Sequence, residues 1–195
     1  MTGRLILVAH AETEATRSAA FPFDEPLAAR GAAAAARYAT ALPQATRILR
    51  SPAVAAAETA AAFGCEATVD PMLADLDCGR WRGRPLGAIA DEEPEALGAW
   101  LADPSYEGHG GGSIAALLIR VGQWLEAGRT NRGTMLAITH GAVVRCAALA
   151  VLGASANGFW RLDVAPLTRL DLSSDGRRWV LRQIVQIDAR PADQK

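Results

Sequence analysis

Apolar residues along this chain fall into short unbroken runs separated by longer stretches with helical spacing. The strongest runs are "RLILVA" (4–9) and "TMLAITH" (134–140). Unbroken runs of this length predict strands covered on both faces, as in a parallel sheet. "TRILR" (46–50) and "ATVD" (67–70) predict two shorter strands. "PLTRLDLS" (166–173) and "RRWVLRQIV" (177–185) predict a closing pair joined across "SDG", a hairpin signal. Helices are predicted at 27–42, an alanine-rich segment, and at 51–64, with Ser51 as cap, Pro52 in the first turn and Gly64 at the end. Further helices are predicted around 92–104, at 114–128 and at 142–153. The segment 12–26 reads as a loop, Pro71 to Pro85 as irregular, and the tail "ARPADQK" as frayed. No linker or repeat divides the chain, so residues 1–195 are expected to form one domain. Strands alternating with helices predict an α/β layered fold with a mainly parallel sheet and an antiparallel end.

Composition narrows the chemistry mostly by exclusion. Half of the 195 residues are hydrophobic, 21% are charged, and the net charge is −1. A nearly neutral chain has no global field to draw it to nucleic acid or an anionic membrane, so neither is an expected partner. Cys65, Cys78 and Cys146 are too few and too scattered for a disulfide framework or a zinc knuckle. With no apolar stretch of transmembrane length and no signal-like start, a cytoplasmic location is expected. The apolar helices and five tryptophans could feed an interface as easily as a core, which leaves a homodimer open.

Two of the three histidines, His10 and His140, directly follow the two strongest strand runs. Ligands of open α/β sheets bind outside the carboxyl ends of the strands. A pair of titratable rings at that edge therefore points to chemistry. His109, in the glycine run "GHGGGS", reads as structural. "HAE" (10–12) matches half of a zinc-deaminase signature, but its P-C-x-x-C half is missing.

Six segments, in order, resemble the histidine phosphatase superfamily in its phosphoglycerate mutase-like branch. "LILVAHAET" is similar to a strand ending in RHGET, and "DEPLAARG" (24–31) to D-x-P-L-T-x-x-G. "SPAVAAAETA" (51–60) resembles SPLxRAxQTA, and "LADLDCGRWRG" (73–83) resembles LxExxFGxWEG. "GHGGGS" stands where PGGES is usual, and "THGAVVR" (139–145) is close to SHGGVIR. The resemblance covers nearly the whole chain. It implies a three-layer α/β/α sandwich acting on a small phosphorylated substrate without metal or organic cofactor. It implies His10 as nucleophile, His140 as a second, charge-stabilising histidine, and Asp75 as proton donor where a glutamate is usual, with Asp77 in reserve. The implied reaction is phosphomonoester hydrolysis through a phosphohistidine. A phosphatase-like binding module is the alternative, and phosphoglycerate mutase-type transfer the third reading.

The departures fall on the cations. The arginine expected before the nucleophile is Ala9, its glycine partner is Ala11, and the second phosphate-binding arginine aligns with Ala55. Gly112 stands in place of the glycine-loop glutamate. One lost charge-stabilising donor typically costs roughly 10²–10³ in rate. Arg17 and Arg145 are the expected phosphate-binding replacements, with Arg50, Arg80 and Arg82 also near the predicted edge.

Overall fold

The two strongest apolar runs occupy the middle of a six-stranded sheet in the computed structural model, which describes residues 3–186. The strands are β1 (Gly3–Ala9), β2 (Arg47–Arg50), β3 (Thr68–Val69), β4 (Gly133–Thr139), β5 (Arg169–Ser174) and β6 (Trp179–Val185). Their order is β3-β2-β4-β1-β5-β6. The first four run parallel, and β5 and β6 are added antiparallel at one edge. The helices are α1 (Glu14–Arg17), α2 (Ala29–Tyr38), α3 (Val54–Ala62), α4 (Leu86–Glu92), α5 (Pro94–Ala102), α6 (Ile114–Gly128) and α7 (Gly141–Leu152).

Alternation along β1 divides the core into two layers. Leu5, Leu7 and Ala9 pack in one cluster with Leu117 and Val121 of α6 and Val143 and Ala147 of α7. Ile6 and Val8 pack in the other with Ala34 and Ala35 of α2 and Ala56 and Ala60 of α3. Alanines on α2 and α3 let these helices lie close against the sheet, which explains that part of the composition. The three-layer α/β/α arrangement is the one expected. Gly31 of "DEPLAARG" has a packing reason: a Cβ there would fall 2.1 Å from the Glu12 carbonyl oxygen.

Several elements differ from the sequence reading. The predicted helix 27–42 ends at Tyr38 and tightens into a 3₁₀ turn, Ala39–Ala41. Ser51 does not cap α3, because that helix begins at Val54 with Ala53 before it; the Ser51 hydroxyl is engaged elsewhere. The 12–26 loop contains α1, capped by Thr13. α4 was not expected, since of its residues only Ile89 is buried and no periodic stripe announces it. A 3₁₀ segment, Ala156–Arg161, follows α7. The tail 189–195 lies outside the described residues.

Candidate active site

Register places the histidines together. Ala9 of β1 pairs with Thr139 of the parallel β4, so His10 and His140 leave the sheet side by side. The His10 N–H donates to the Thr139 carbonyl at 2.8 Å, and the rings meet edge to face with centroids 5.1 Å apart. β2 ends at the same edge, where Ser51 N–H donates to the Ile138 carbonyl. Three neighbouring parallel strands thus deliver His10, His140 and Ser51 to one place.

Each ring is held by specific contacts. His10 Nδ1 lies 2.8 Å from the Ala11 carbonyl oxygen. A carbonyl only accepts, so Nδ1 carries the proton and Nε2 keeps its lone pair. The Ala11 N–H in turn donates to Thr59 Oγ1 of α3 at 3.1 Å, which fixes the peptide that orients the ring. Ser51 Oγ lies 2.7 Å from His140 Nε2 and accepts from the Ala53 N–H at 3.3 Å. His140 Nδ1 approaches Asp75 Oδ2 at 3.3 Å, a close contact without the alignment of a hydrogen bond.

Asp75 reaches this edge because the irregular segment before it is pinned. A short 3₁₀ turn, Pro71–Leu73, is capped by Asp70, whose Oδ2 also accepts from Trp124 Nε1 of α6 at 2.8 Å. Thr139 Oγ1 donates to the Leu73 carbonyl at 2.7 Å, and Arg120 of α6 donates to the carbonyls of Ala74 and Asp75. Further along, Gly112 N–H donates to the Asp77 carbonyl at 2.9 Å. A Cβ on Gly111 would fall 2.1 Å from that carbonyl oxygen, so the glycine run is what allows the two loops to meet. His109 is buried against Trp81, its Nδ1 accepting from Gly111 N–H, and it does not line the site.

Burial and the neighbouring His140 hold the His10 imidazole below its ordinary value of 6.5. Burial pushes Asp75 upward, but His140, the Leu76 N–H and His10 outweigh it and hold the carboxyl below its ordinary range. Cys78 also lines the cavity, but burial and the charges of Asp75 and Asp77 push its thiol up to about 12, which leaves it protonated and unreactive. Among the described residues no group of three His, Cys, Asp or Glu is arranged to hold a metal ion.

The sheet edge opens into a cavity of about 940 Å³ lined by His10, Asp75 and His140, together with Arg82, Arg145 and Ala55. The N-terminus of α7 also faces it through Gly141 and Ala142. A helix start presents free N–H groups and the positive end of its dipole, a favourable setting for an anion.

The family model of the histidine phosphatase superfamily (branch 1) matches residues 5–186. The chain belongs to that superfamily. Phosphatase-type hydrolysis is the activity this membership brings. The chain is 28% identical to phosphoserine phosphatase 1 of Hydrogenobacter thermophilus over 168 residues, 80% of each protein. Its fold is similar to that of a mycobacterial glucosyl-3-phosphoglycerate phosphatase complexed with VO3, with TM-score 0.82, 23% identity and coverage of 92% of this chain and 96% of that one. It is also similar to a mutant phosphoserine phosphatase of Entamoeba histolytica in complex with phosphoserine, with TM-score 0.83, 20% identity and coverage of 93% and 96%.

Within this histidine phosphatase fold the expected cations separate. Arg145 lines the cavity, although its Nε is committed to the Leu162 carbonyl at 2.8 Å and its guanidinium stacks over Phe159. Arg17 does not line it. It lies in α1, 59% exposed, and is ion-paired with Glu14 three residues earlier, because the loop that carries it folds into a helical turn. Arg80 is held at the surface by Glu93 and the Gly108 carbonyl, and the half-buried Arg50 donates to the Ser51 carbonyl. Arg82 lines the cavity from the irregular segment. Ala9 and Ala11 are buried in the two core layers, whereas Ala55 faces the cavity. The sequence reading missed Ser51 as the partner of His140, Arg120 as the clamp on the Asp75 backbone, and Glu25, a buried carboxylate at the cavity that accepts from Ala15 N–H at 2.9 Å. Among the described residues no helix is long and apolar enough to cross a membrane.

Proposed function

We propose that the protein hydrolyses a small phosphomonoester through a phosphohistidine on His10. The observation that carries this reading is the contact of His10 Nδ1 with the Ala11 carbonyl, which leaves Nε2 as a lone pair beside His140 and Asp75 at the cavity. In the first step Nε2 forms a bond to phosphorus, the ester P–O bond breaks, and the Asp75 carboxylic acid supplies the proton to the leaving oxygen. In the second, a water oxygen attacks phosphorus, the Asp75 carboxylate takes the water's proton, and the N–P bond breaks to release phosphate. His140 and the α7 N-terminus line the same cavity and supply positive character for the charge on the transferring group. Asp77 is the weaker choice of acid, since it is exposed, whereas Asp75 is half-buried with its Oδ2 3.3 Å from His140 Nδ1.

The chemistry can be divided with Asp75→Asn and p-nitrophenyl phosphate, whose phenolate leaves without a proton. The expected result is a burst of about one equivalent of p-nitrophenolate followed by slow turnover. Mass spectrometry should place an acid-labile phosphate on His10. Neither burst nor label would remove the covalent mechanism.

The pH profile follows from the two shifts. His10 must be neutral to attack, and burial and His140, which lower its value, carry the neutral form to a lower pH than an ordinary imidazole's. Asp75 must be protonated to act as acid, and its lowered value makes that form scarcer as pH rises. kcat/KM for an alkyl phosphomonoester is therefore expected to peak below about pH 6.5 and to fall towards neutrality. A maximum above about pH 7.5 would contradict the assignment of the acid.

One observation favours a second reading, in which the site binds a phosphorylated ligand without turning it over. The charges that bear most on His10 are those of His140, Asp75 and Glu25, and none of them is an arginine.

A further inference from the structure

The cavity beyond the histidines is built of aromatic and aliphatic side chains drawn from distant parts of the chain. Phe21 stands 5.3 Å from Trp100, Trp100 stands 4.7 Å from Trp160, and Trp160 stands 4.8 Å from Phe159, centroid to centroid. All four rings line the cavity, so they form a continuous wall. The rim is apolar as well. Phe23, Leu86, Leu101 and Trp160 each keep more than 40% of their surface exposed, and all four line this opening. Isolated exposed apolar residues are ordinary, but a cluster around one mouth marks a contact surface.

The charges on the same lining argue in the same direction. Among the described residues, Asp24, Glu25, Asp75 and Asp77 face the cavity against only Arg82 and Arg145. Arg145 is already bound to the Leu162 carbonyl and lies 5.1 Å over Phe159 and 5.6 Å over Trp160. Once a phosphoryl group sits at His10, a second anionic group on the substrate would be desolvated beside carboxylates with little cationic compensation. A flat apolar group would exchange water for the aromatic wall.

From this arrangement we infer that the cavity beyond His10 is a substrate subsite for the aromatic or otherwise apolar alcohol part of a phosphomonoester that carries no second anionic group. The inference rests on the phosphatase reading above. A cavity of about 940 Å³ accommodates a fused bicyclic alcohol together with its phosphate. A quaternary ammonium fits less well, because Arg145 already stacks over Phe159 and Trp160. Asp24 and Glu25 are likewise each engaged by a backbone N–H, of Val54 and Ala15 respectively.

The test compares four alkyl esters, 2-(1-naphthyl)ethyl phosphate, phosphoserine, 3-phosphoglycerate and phosphocholine, in the wild type and in Leu101→Asn, a neutral substitution at an exposed rim position of α5. The expected result is a kcat/KM about 50-fold higher for 2-(1-naphthyl)ethyl phosphate than for the other three. Leu101→Asn should cut that advantage about tenfold. In parallel, calorimetric titration of His10→Ala reads binding of 2-(1-naphthyl)ethyl phosphate and 3-phosphoglycerate without turnover. Turnover with equal rates, or with phosphoserine, 3-phosphoglycerate or phosphocholine preferred, overturns the subsite and leaves the phosphatase standing. Selective binding of 2-(1-naphthyl)ethyl phosphate without wild-type turnover supports the subsite and overturns the phosphatase. Absence of both overturns both.

Discussion

Replacing His10 by alanine is expected to lower phosphate release from every phosphomonoester the protein turns over by about 10³-fold or more. The size follows from the role: without an Nε2 lone pair there is no covalent intermediate, and water must attack directly in a site built for a ring. The ring is also already in its reactive form. Burial and His140 keep it neutral, and the 2.8 Å contact to Ala11 O selects the tautomer, so little reorganisation precedes attack. The folded state should survive the change. The loss is one hydrogen bond, worth roughly 0.5–1.5 kcal/mol, and a half-buried ring at the cavity wall rather than in either core layer. Circular dichroism and the melting temperature should therefore stay near wild type while phosphate release disappears. A variant that folds and still releases phosphate at the wild-type rate would show that His10 is not the nucleophile.

The parts of the site that were legible in the sequence are those that parallel register controls. Unbroken apolar runs identify β1 and β4 as central strands, and a shared carboxyl edge follows for the residues after them. That is why His10 and His140 could be paired before any geometry was known. Ser51 reads from the sequence as a helix cap, because a serine before a proline at a helix start usually is one. Its true partner, His140, is 89 residues away and is set by how β2 pairs with β4. Arg17 was misplaced for the opposite reason. Its distance from His10 along the chain was visible, but the turn that aims it at Glu14 was not. The aromatic wall was illegible altogether, since Phe21, Trp100 and Trp160 meet only through the packing of three separate segments.

The cations missing beside His10 lead to the second large expectation, a gain of function. Ala55→Arg is expected to raise kcat/KM for simple phosphomonoesters by roughly 10²-fold. Ala55 sits in the first turn of α3, 4% exposed, with its side chain on the cavity that also holds His10 and Ser51. A guanidinium introduced there extends into open volume and meets the transferring phosphoryl group with two parallel N–H donors. An arginine on transferring phosphate can be worth about 10³–10⁵, and the smaller figure here reflects the absence of its companion at Ala9. Ala9→Arg offers no comparable route. Ala9 is packed in the layer beneath α6 and α7 and does not line the cavity, so an arginine there is expected to destabilise the fold before it helps the reaction. Combining Ala55→Arg with His10→Ala separates catalysis from simple attraction of phosphate: the gain must vanish with His10. If Ala55→Arg binds inorganic phosphate no tighter and turns over no faster, the introduced charge has been captured by a cavity carboxylate such as Glu25. The wild-type site would then have to work with His140, the α7 N-terminus and Arg145 as its donors. If the gain appears as expected, the alanines at this edge are the cause of a low intrinsic rate in a site whose histidines and acid are otherwise in place.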